Sequence, residues 1–471
     1  MTARPVVLLY LFLTSTVSAN LITIENARPG TDRWQLRSGP SADIAAYASA
    51  TSIAHGETIR FYVSASDATL QFEIFRMGWY AGLGGRRMTQ ATERSGGVQP
   101  VPAPDADGRI RCRWNETWSL TIPDDWVSGV YLAKITGQPS GDQNYAIFVV
   151  RDERTAGLLF QSSVTTYQAY NNWGGKSLYA HNSTGAPAKK VSFDRPYSLE
   201  SGPGDFLFRW EYPMVRWLER EGYDVTYGTN LDTHARPAML RRVKAFLSVG
   251  HDEYWTWEMR ANVEAARDAG VDLAFFSANT CYWQIRLEDD ARTIVAHKET
   301  ALATDPFAHD GDPSNDARIT TQWRMVPVLR PEESLLGVMS VDSQIDTDIV
   351  IDNASHWVFA KTNLARGDRL RGLLGYEVDA ITGMQSPPNV VRLAHSPYTT
   401  TRGESGFSDM TIYTAPSGAL VFAAGTIQWS WGLDDFGNPV RGNRVSAAAQ
   451  QITKNVLKKM IGTAKRRSVG S

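Results

Sequence analysis

The sequence predicts an α/β fold in two parts, a β-sandwich followed by a doubly wound, mostly parallel α/β domain. Three observations predict it. Short runs that alternate apolar and polar residues fill the opening part, between turns rich in Gly, Pro, Asp and Ser. After Asp152 near-continuous apolar runs alternate with segments of helical spacing, as βαβ units do. At 471 residues the chain also exceeds what one core usually supports, so more than one domain is expected.

The N-terminus "MTARPVVLLYLFLTSTVSAN" carries one early Arg, an apolar run from Val6 to Leu13, and small residues ending at Ala19. That is the layout of a secretory signal peptide over residues 1–19. The run is too short to anchor in a bilayer, which takes roughly 20 apolar residues, and export to the periplasm or outside the cell is the expectation. Residues 20–152 follow as the β domain. There "ETIRFYVSAS", "LQFEIFRMGW", "WSLTIPDDWVSGVYLAKIT" and "NYAIFVVRD" space their turns as an immunoglobulin-like sandwich does. "MGWYAGLGGRR" reads as a turn, because no helix follows to make it a phosphate loop.

Residues 153–471 form the second part. "AGLLFQSSV", "YDVTYG", "KAFLSVG" and "VDLAFFSAN" are strand runs. "DFLFRWEYPMVRWLEREG" and "TWEMRANVEAARDAG" have helical spacing, the latter with Thr256 as N-cap and Gly270 as its stop. From about Thr304 to Gly403 Pro, Asp and short strands predict loops and short-strand insertions decorating the sheet, before "SGALVFAAGTIQWSWGLDD" returns to a buried strand.

Composition excludes some partners. With 48 basic and 50 acidic residues the formal net charge is -2, so no nucleic acid is expected, and the basic end "KKMIGTAKRR" reads as a solvated tail. No other stretch is apolar and long enough to insert stably in a membrane. Cys112 and Cys281 lack metal-ligand spacing, and the sequence leaves open a disulfide or two buried thiols.

In an open α/β sheet ligands bind beyond the carboxyl ends of the strands. "SVGHDEYW" places His251, Asp252 and Glu253 there. "FFSAN" adds Ser277 and Asn279, "SSVTTYQAYNNWGG" adds Thr166, Tyr167, Tyr170 and Asn171, and "GLLGYEVDA" adds Glu377 and Asp379. Each has an ordinary reading: Asp252 or Glu253 as an acid at a helix start, His251 as a hydrogen-bonded structural residue, Tyr167 and Tyr170 as one packed face. Their convergence on one sheet edge argues for a site. No G-x-S-x-G, C-x-x-C or H-E-x-x-H is present in this part. Carboxylate and phenolate oxygens would suit a hard trivalent ion.

The motifs "TYQAYNNWGGKSLY", "FDRPY", "SVGHDEYWTWEMR", "FFSANTCYWQIR", "GYEVD" and "AAGTIQWSWGLD", in this order, resemble the catalytic domain of the N,N-dimethylformamidase large (beta) subunit family. The resemblance runs from about Gly157 to Leu457, and "RMGWYAGLGGRR" ahead of it is similar too. It implies a mononuclear iron (Fe) held by two tyrosines and a glutamate, and hydrolysis of an amide C–N bond. By motif, Glu253 is the carboxylate ligand, Tyr170 one tyrosine and Tyr197 of "FDRPY" the other, with Tyr167 and Tyr179 as rivals. His251, Asn279 and Glu377 fall around the metal as catalytic groups: Glu377 as general base, His251 and Asn279 as donors to the oxyanion. Asp252 keeps the helix-capping role. The chain is much shorter than the family's named enzyme, carries an export signal and gives no sign of a small partner subunit. The amide therefore goes unnamed, and a homo-oligomer is left open.

Two other readings stand beside this one. An exported binding protein would use "QWSWGLD" and "NTCYWQ" as stacking platforms for carbohydrate in an aromatic-lined cleft. A glutamine-amidotransferase-like fold would ask whether Cys281 is a nucleophile; it lies two residues after Asn279 rather than on a sharp elbow.

Overall fold

Alternation organises the first part. Strand β2 (Thr58–Ala65) buries every second side chain, and pairs antiparallel with β1 (Ile44–Ala48) on one side and β4 (Trp118–Thr121) on the other. A second sheet is built on β3 (Thr69–Met77), β5 (Gly129–Gln138) and β6 (Gln143–Val150), with β5 central and short strands at the edges. The two sheets share one core, in which Trp118 stacks on Phe61 at 5.5 Å and Tyr131 on Phe148 at 5.5 Å. The computed structural model describes residues 20–437 and 442–462. Residues 1–19, where a signal peptide is expected, and the end of the basic tail, 463–471, lie outside the described residues.

"MGWYAGLGGRR" is a turn, as read: β3 ends at Met77, a single turn spans Tyr80–Gly82, and the chain returns as Gly85–Arg87. Its Gly84 carbonyl accepts a 2.6 Å hydrogen bond from the Tyr212 hydroxyl, tying the β part to the α/β part.

Between Val150 and Ala156 the pattern changes to fully buried runs. β7 (Ala156–Ser162), β8 (Val225–Thr229), β9 (Val243–His251) and β10 (Asp272–Ala278) are parallel. Near-continuous burial is what strands covered on both faces require. The sheet continues through β14 (Leu420–Ala423), then the antiparallel pair β13 (Ser405–Thr414) and β12 (Val391–Thr399), in the order β8-β7-β9-β10-β14-β13-β12. On one face Leu158, Leu247 and Phe276 pack with helices α2 (Glu211–Arg220) and α4 (Ala447–Gly462). On the other, Leu159, Phe246 and Phe275 pack with α3 (Trp257–Asp268). The molecule is thus a mixed α/β protein with several sheets.

Thr256 does cap α3, its hydroxyl accepting the Met259 N–H at 3.1 Å, and Gly270 stops it at φ +93°. The segment from Asp205 is helical with a difference: a π-turn, Asp205–Arg209, precedes α2. The segment expected to hold loops and short strands instead contains two twelve-residue strands, Met339–Val350 and β11 (Arg369–Ala380), paired as a bulged hairpin. Its β12, with β13 just after the segment, extends the main sheet. Bulges displace the period-2 pattern, which is why the sequence reads as fragments.

Gly250 sits at φ +70° just before the end of β9, where a Cβ would lie 2.1 Å from that of Trp210. Gly250→Ala is expected to cost on the order of 1–3 kcal/mol in urea unfolding and to displace His251, the next residue. An unchanged midpoint would show that the backbone there relaxes freely.

Candidate active site

The strand ends deliver the site. β7 runs into α1 (Val164–Tyr170), whose last residue is Tyr170. Beyond α1 the double glycine of "NNWGG" turns the chain back, the Leu178 N–H reaching the Ala169 carbonyl at 3.0 Å, and this sets Tyr179 beside Tyr170. β9 ends in His251, followed by Glu253; β10 ends before Asn279; β11 supplies Glu377.

Glu253 is the centre, buried to 2% exposure. The Tyr170 hydroxyl donates to its Oε2 at 2.9 Å and the Tyr179 hydroxyl to its Oε1 at 2.9 Å. The two phenol rings stack at 4.3 Å, and the Tyr254 hydroxyl lies 2.5 Å from that of Tyr179. Burial, then the negative charge of Glu253, pushes the phenols of Tyr170, Tyr179 and Tyr254 well above their ordinary range. Lys298 brings a buried ammonium 3.4 Å from the centre of the Tyr179 ring.

On the other side of Glu253 stands His251, its Nε2 3.2 Å from Glu253 Oε2 and 2.9 Å from Glu377 Oε2. Burial opposes a charge on His251, but the two carboxylates outweigh it and raise the imidazole well above its usual value. Burial likewise pushes Glu377 up, and the facing His251 with the hydrogen bond from Asn279 brings it below the usual carboxylate range. Asn279 Nδ2 donates to Glu377 Oε2 at 2.8 Å, while its backbone, at φ +51°, donates N–H to Asp379 at 2.7 Å. Burial lifts Asp379 to about 7. A cavity of about 80 Å³ opens onto Tyr170, His251 and Glu377, walled by Tyr167, Trp210 and Tyr376.

Five of the six residues singled out from the sequence therefore meet: Tyr170, Glu253, His251, Asn279 and Glu377. Tyr197 does not. It lines a different cavity with Leu36, Asn144 and Phe208, its ring against Gly202, and Tyr179 takes the place beside Glu253. In the turn before it buried Arg195 donates to the carbonyls of Lys176 and Asn171 and so ties the "FDRPY" segment to the tyrosine loop, with Tyr197 in that other cavity. Tyr167 reaches Ser162 at 3.3 Å and walls the cavity without touching Glu253. Tyr254 and Lys298 were missed. Tyr254 stands next to Glu253 in "HDEYW", a signal within reach; "VAHKET" gives Lys298 none.

Asp252 is structural, but not as a helix cap. Buried, it accepts from Gln161 at 2.7 Å, Asn230 at 2.9 Å and Ser248 at 2.9 Å, binding three βα junctions together. Cys112 and Cys281 are separate buried thiols. Burial pushes Cys281 well above the usual thiol range, which disfavours a nucleophile.

Among the described residues no group of three or more His, Cys, Asp or Glu side chains is arranged to hold a metal ion. The donor set that does converge is two phenols and one carboxylate, each phenol oxygen 2.9 Å from a carboxylate oxygen. Such hard oxygen donors fit a trivalent cation, because a strong Lewis acid takes phenolate where protons otherwise hold the phenol.

The family model described as "N,N-dimethylformamidase beta subunit-like, C-terminal" matches residues 71–444. The chain belongs to that family. As a member of the N,N-dimethylformamidase beta subunit-like family it matches from within β3 onward, so the matched span includes strands of both parts. It is 24% identical over 441 residues to the N,N-dimethylformamidase beta subunit of Alcaligenes sp, covering 74% of this chain and 54% of that one. It is also 24% identical over 435 residues to that of Paracoccus aminophilus, with the same coverage, 74% and 54%. The chain thus spans about half the length of the curated relatives it matches. Of solved structures, the mmIFT52 N-terminal domain overlaps 52% of this chain and 88% of its own at 10% identity, with a TM-score of 0.29.

Proposed function

We propose that this chain hydrolyses an amide C–N bond at the Glu253 cluster, with a mononuclear iron held by Tyr170, Tyr179 and Glu253. One observation carries the reading: two stacked phenols converge on a single buried carboxylate next to a paired His251 and Glu377. The N,N-dimethylformamidase names of the relatives support the reaction class.

Iron held there by Tyr170, Tyr179 and Glu253 would supply Lewis acidity toward an amide carbonyl or a water. The chain supplies the rest. His251 and Asn279 both engage Glu377 Oε2, leaving Oε1 without a partner among the described residues. Oε1 is then the atom that takes a proton from the attacking water as the C–O bond forms, and returns it to the leaving nitrogen as the C–N bond breaks. His251, set between Glu253 and Glu377 and lining the cavity, is the group placed to stabilise the oxyanion that develops there. Asn279 donates one of its two amide N–H groups to Glu377 and so positions that base. A cavity of about 80 Å³ favours a small acyl group.

The β part is read as immunoglobulin-like and the sheet with helices on both faces as doubly wound. Export is proposed on the signal-peptide layout of residues 1–19. The relatives are named beta subunits, so a partner chain is proposed too, and the mass of the native particle tests it.

Protein purified after iron-replete expression is expected to hold about one iron per chain and to show a phenolate-to-iron absorption band. Tyr170→Phe and Tyr179→Phe should each weaken or shift the band, and Tyr197→Phe should leave it as it is. Colourless, iron-free protein would overturn the metal assignment; a band lost in Tyr197→Phe would overturn the choice of Tyr179.

A further inference from the structure

An opening larger than the strand-end cavity lies elsewhere. A cleft of about 470 Å³ lies where the β part meets the α/β part, lined by Tyr47, Tyr62, Trp114, Arg111, Arg113 and Arg292 among others. That is within the range of small-molecule sites. Tyr47 on β1 and Tyr62 on β2 are register partners whose side chains leave the sandwich on the face away from its core, and their rings stack at 4.8 Å with 16° between planes. Trp114 packs against Tyr47 at 5.5 Å, with its own N–H held by the Pro100 carbonyl at 2.7 Å. The aromatic wall is therefore fixed in place before anything binds, yet Tyr62 keeps part of its surface open.

The charges facing this wall do not balance. Arg111 and Arg292 both pair with Asp194, at 3.2 Å and 2.7 Å. Arg109 pairs with Asp105 at 3.0 Å, and with Arg111 it shares Asp289. Arg113 is exposed and has no hydrogen-bond or ion-pair partner among the described residues. Of the three guanidiniums that line the cleft, Arg111 and Arg292 are thus already engaged by its one carboxylate, Asp194, and Arg113 is left with a free fork that fits a carboxylate. A single free charge suits a monoanion better than a phosphate dianion, which Asp194 would repel.

We propose that this cleft is a second binding site, distinct from the strand-end cavity, for a small ring-bearing carboxylate: the ring lies against Tyr62 and the carboxylate meets Arg113. The shared chemistry, a flat apolar face with one carboxylate, belongs both to sugar acids and to aromatic acids. Titration of the purified full chain with glucuronate, benzoate, glucose and inorganic phosphate, read by calorimetry and by Trp fluorescence, tests it. Glucuronate or benzoate is expected to bind saturably, with glucose and phosphate weaker by tenfold or more; whichever acid binds more tightly names the source. Arg113→Ala and Tyr62→Ala should each weaken binding roughly tenfold, and Arg113→Ala, having no partner to lose, should leave the unfolding midpoint in place. Glu377→Gln, altered at the other cavity, should bind as the parent protein does. The proposal fails if neither acid binds, if glucose or phosphate binds as tightly, if Arg113→Ala has no effect, or if Glu377→Gln abolishes binding.

Discussion

Glu377→Gln is expected to lower kcat for amide hydrolysis by about 10² to 10⁴-fold while iron content and the phenolate band stay those of the parent protein. The size follows from what the change removes. Glutamine keeps the volume of the side chain and an oxygen that can accept from His251 and Asn279, which now hold Oε2 at 2.9 Å and 2.8 Å. It cannot take a proton from water. The loss therefore falls on proton transfer rather than on folding or on metal retention, since Tyr170, Tyr179 and Glu253 are untouched. Asn279→Ala, which frees Glu377 to rotate without removing its basicity, should give a smaller fall. If Glu377→Gln kept more than a tenth of kcat, another group would have to be the base. If it lost iron as well, Glu377 would be a ligand and the division of labour drawn above would be wrong.

Much of this architecture was legible from residue patterns, for definite reasons. Strands covered on both faces have no polar alternation, so "KAFLSVG" and "VDLAFFSAN" announced themselves as β9 and β10. Once those runs are placed, the polar residues that follow them, His251, Glu253 and Asn279, must lie at one sheet edge. The second tyrosine was harder. Tyr179 reaches Glu253 because a glycine turn folds the chain back on α1, and Tyr197 lies in another cavity, on a segment that Arg195 ties to the tyrosine loop. Both effects depend on loop geometry, which has no periodicity to read. Lys298 is placed over Tyr179 by a loop with positive φ, again without a pattern. Asp252 shows the opposite difficulty: an acid five residues before a helix looks like a cap, and only the converging Gln161, Asn230 and Ser248 reveal a buried anchor.

The second large effect concerns how the two parts are joined. Glu219→Ala is expected to destabilise the protein by about 3–5 kcal/mol. Arg76 on β3 and Glu219 on α2 form a fully buried pair, with Nη2 to Oε1 at 2.8 Å and Nη1 to Oε2 at 3.0 Å. The carboxylate also accepts from the Tyr227 hydroxyl at 2.8 Å and from Asn26 at 2.7 Å; the guanidinium also donates to the Ser128 carbonyl at 2.9 Å and to the Tyr80 hydroxyl at 3.0 Å. Burial works against the charge on Arg76, and Glu219 more than compensates, raising it well above its ordinary value. Removing Glu219 leaves that charge buried and unpaired, where the desolvation of the guanidinium is no longer offset. Because one partner belongs to the sandwich and the other to the α/β part, urea unfolding of Glu219→Ala should separate into two transitions, the parts no longer melting together. The double change Arg76→Met with Glu219→Leu removes both charges, and should recover most of the lost stability. A single variant within 1 kcal/mol of the parent, or a double variant no better than the single, would mean that water enters the pair and that the junction is held by its apolar contacts instead.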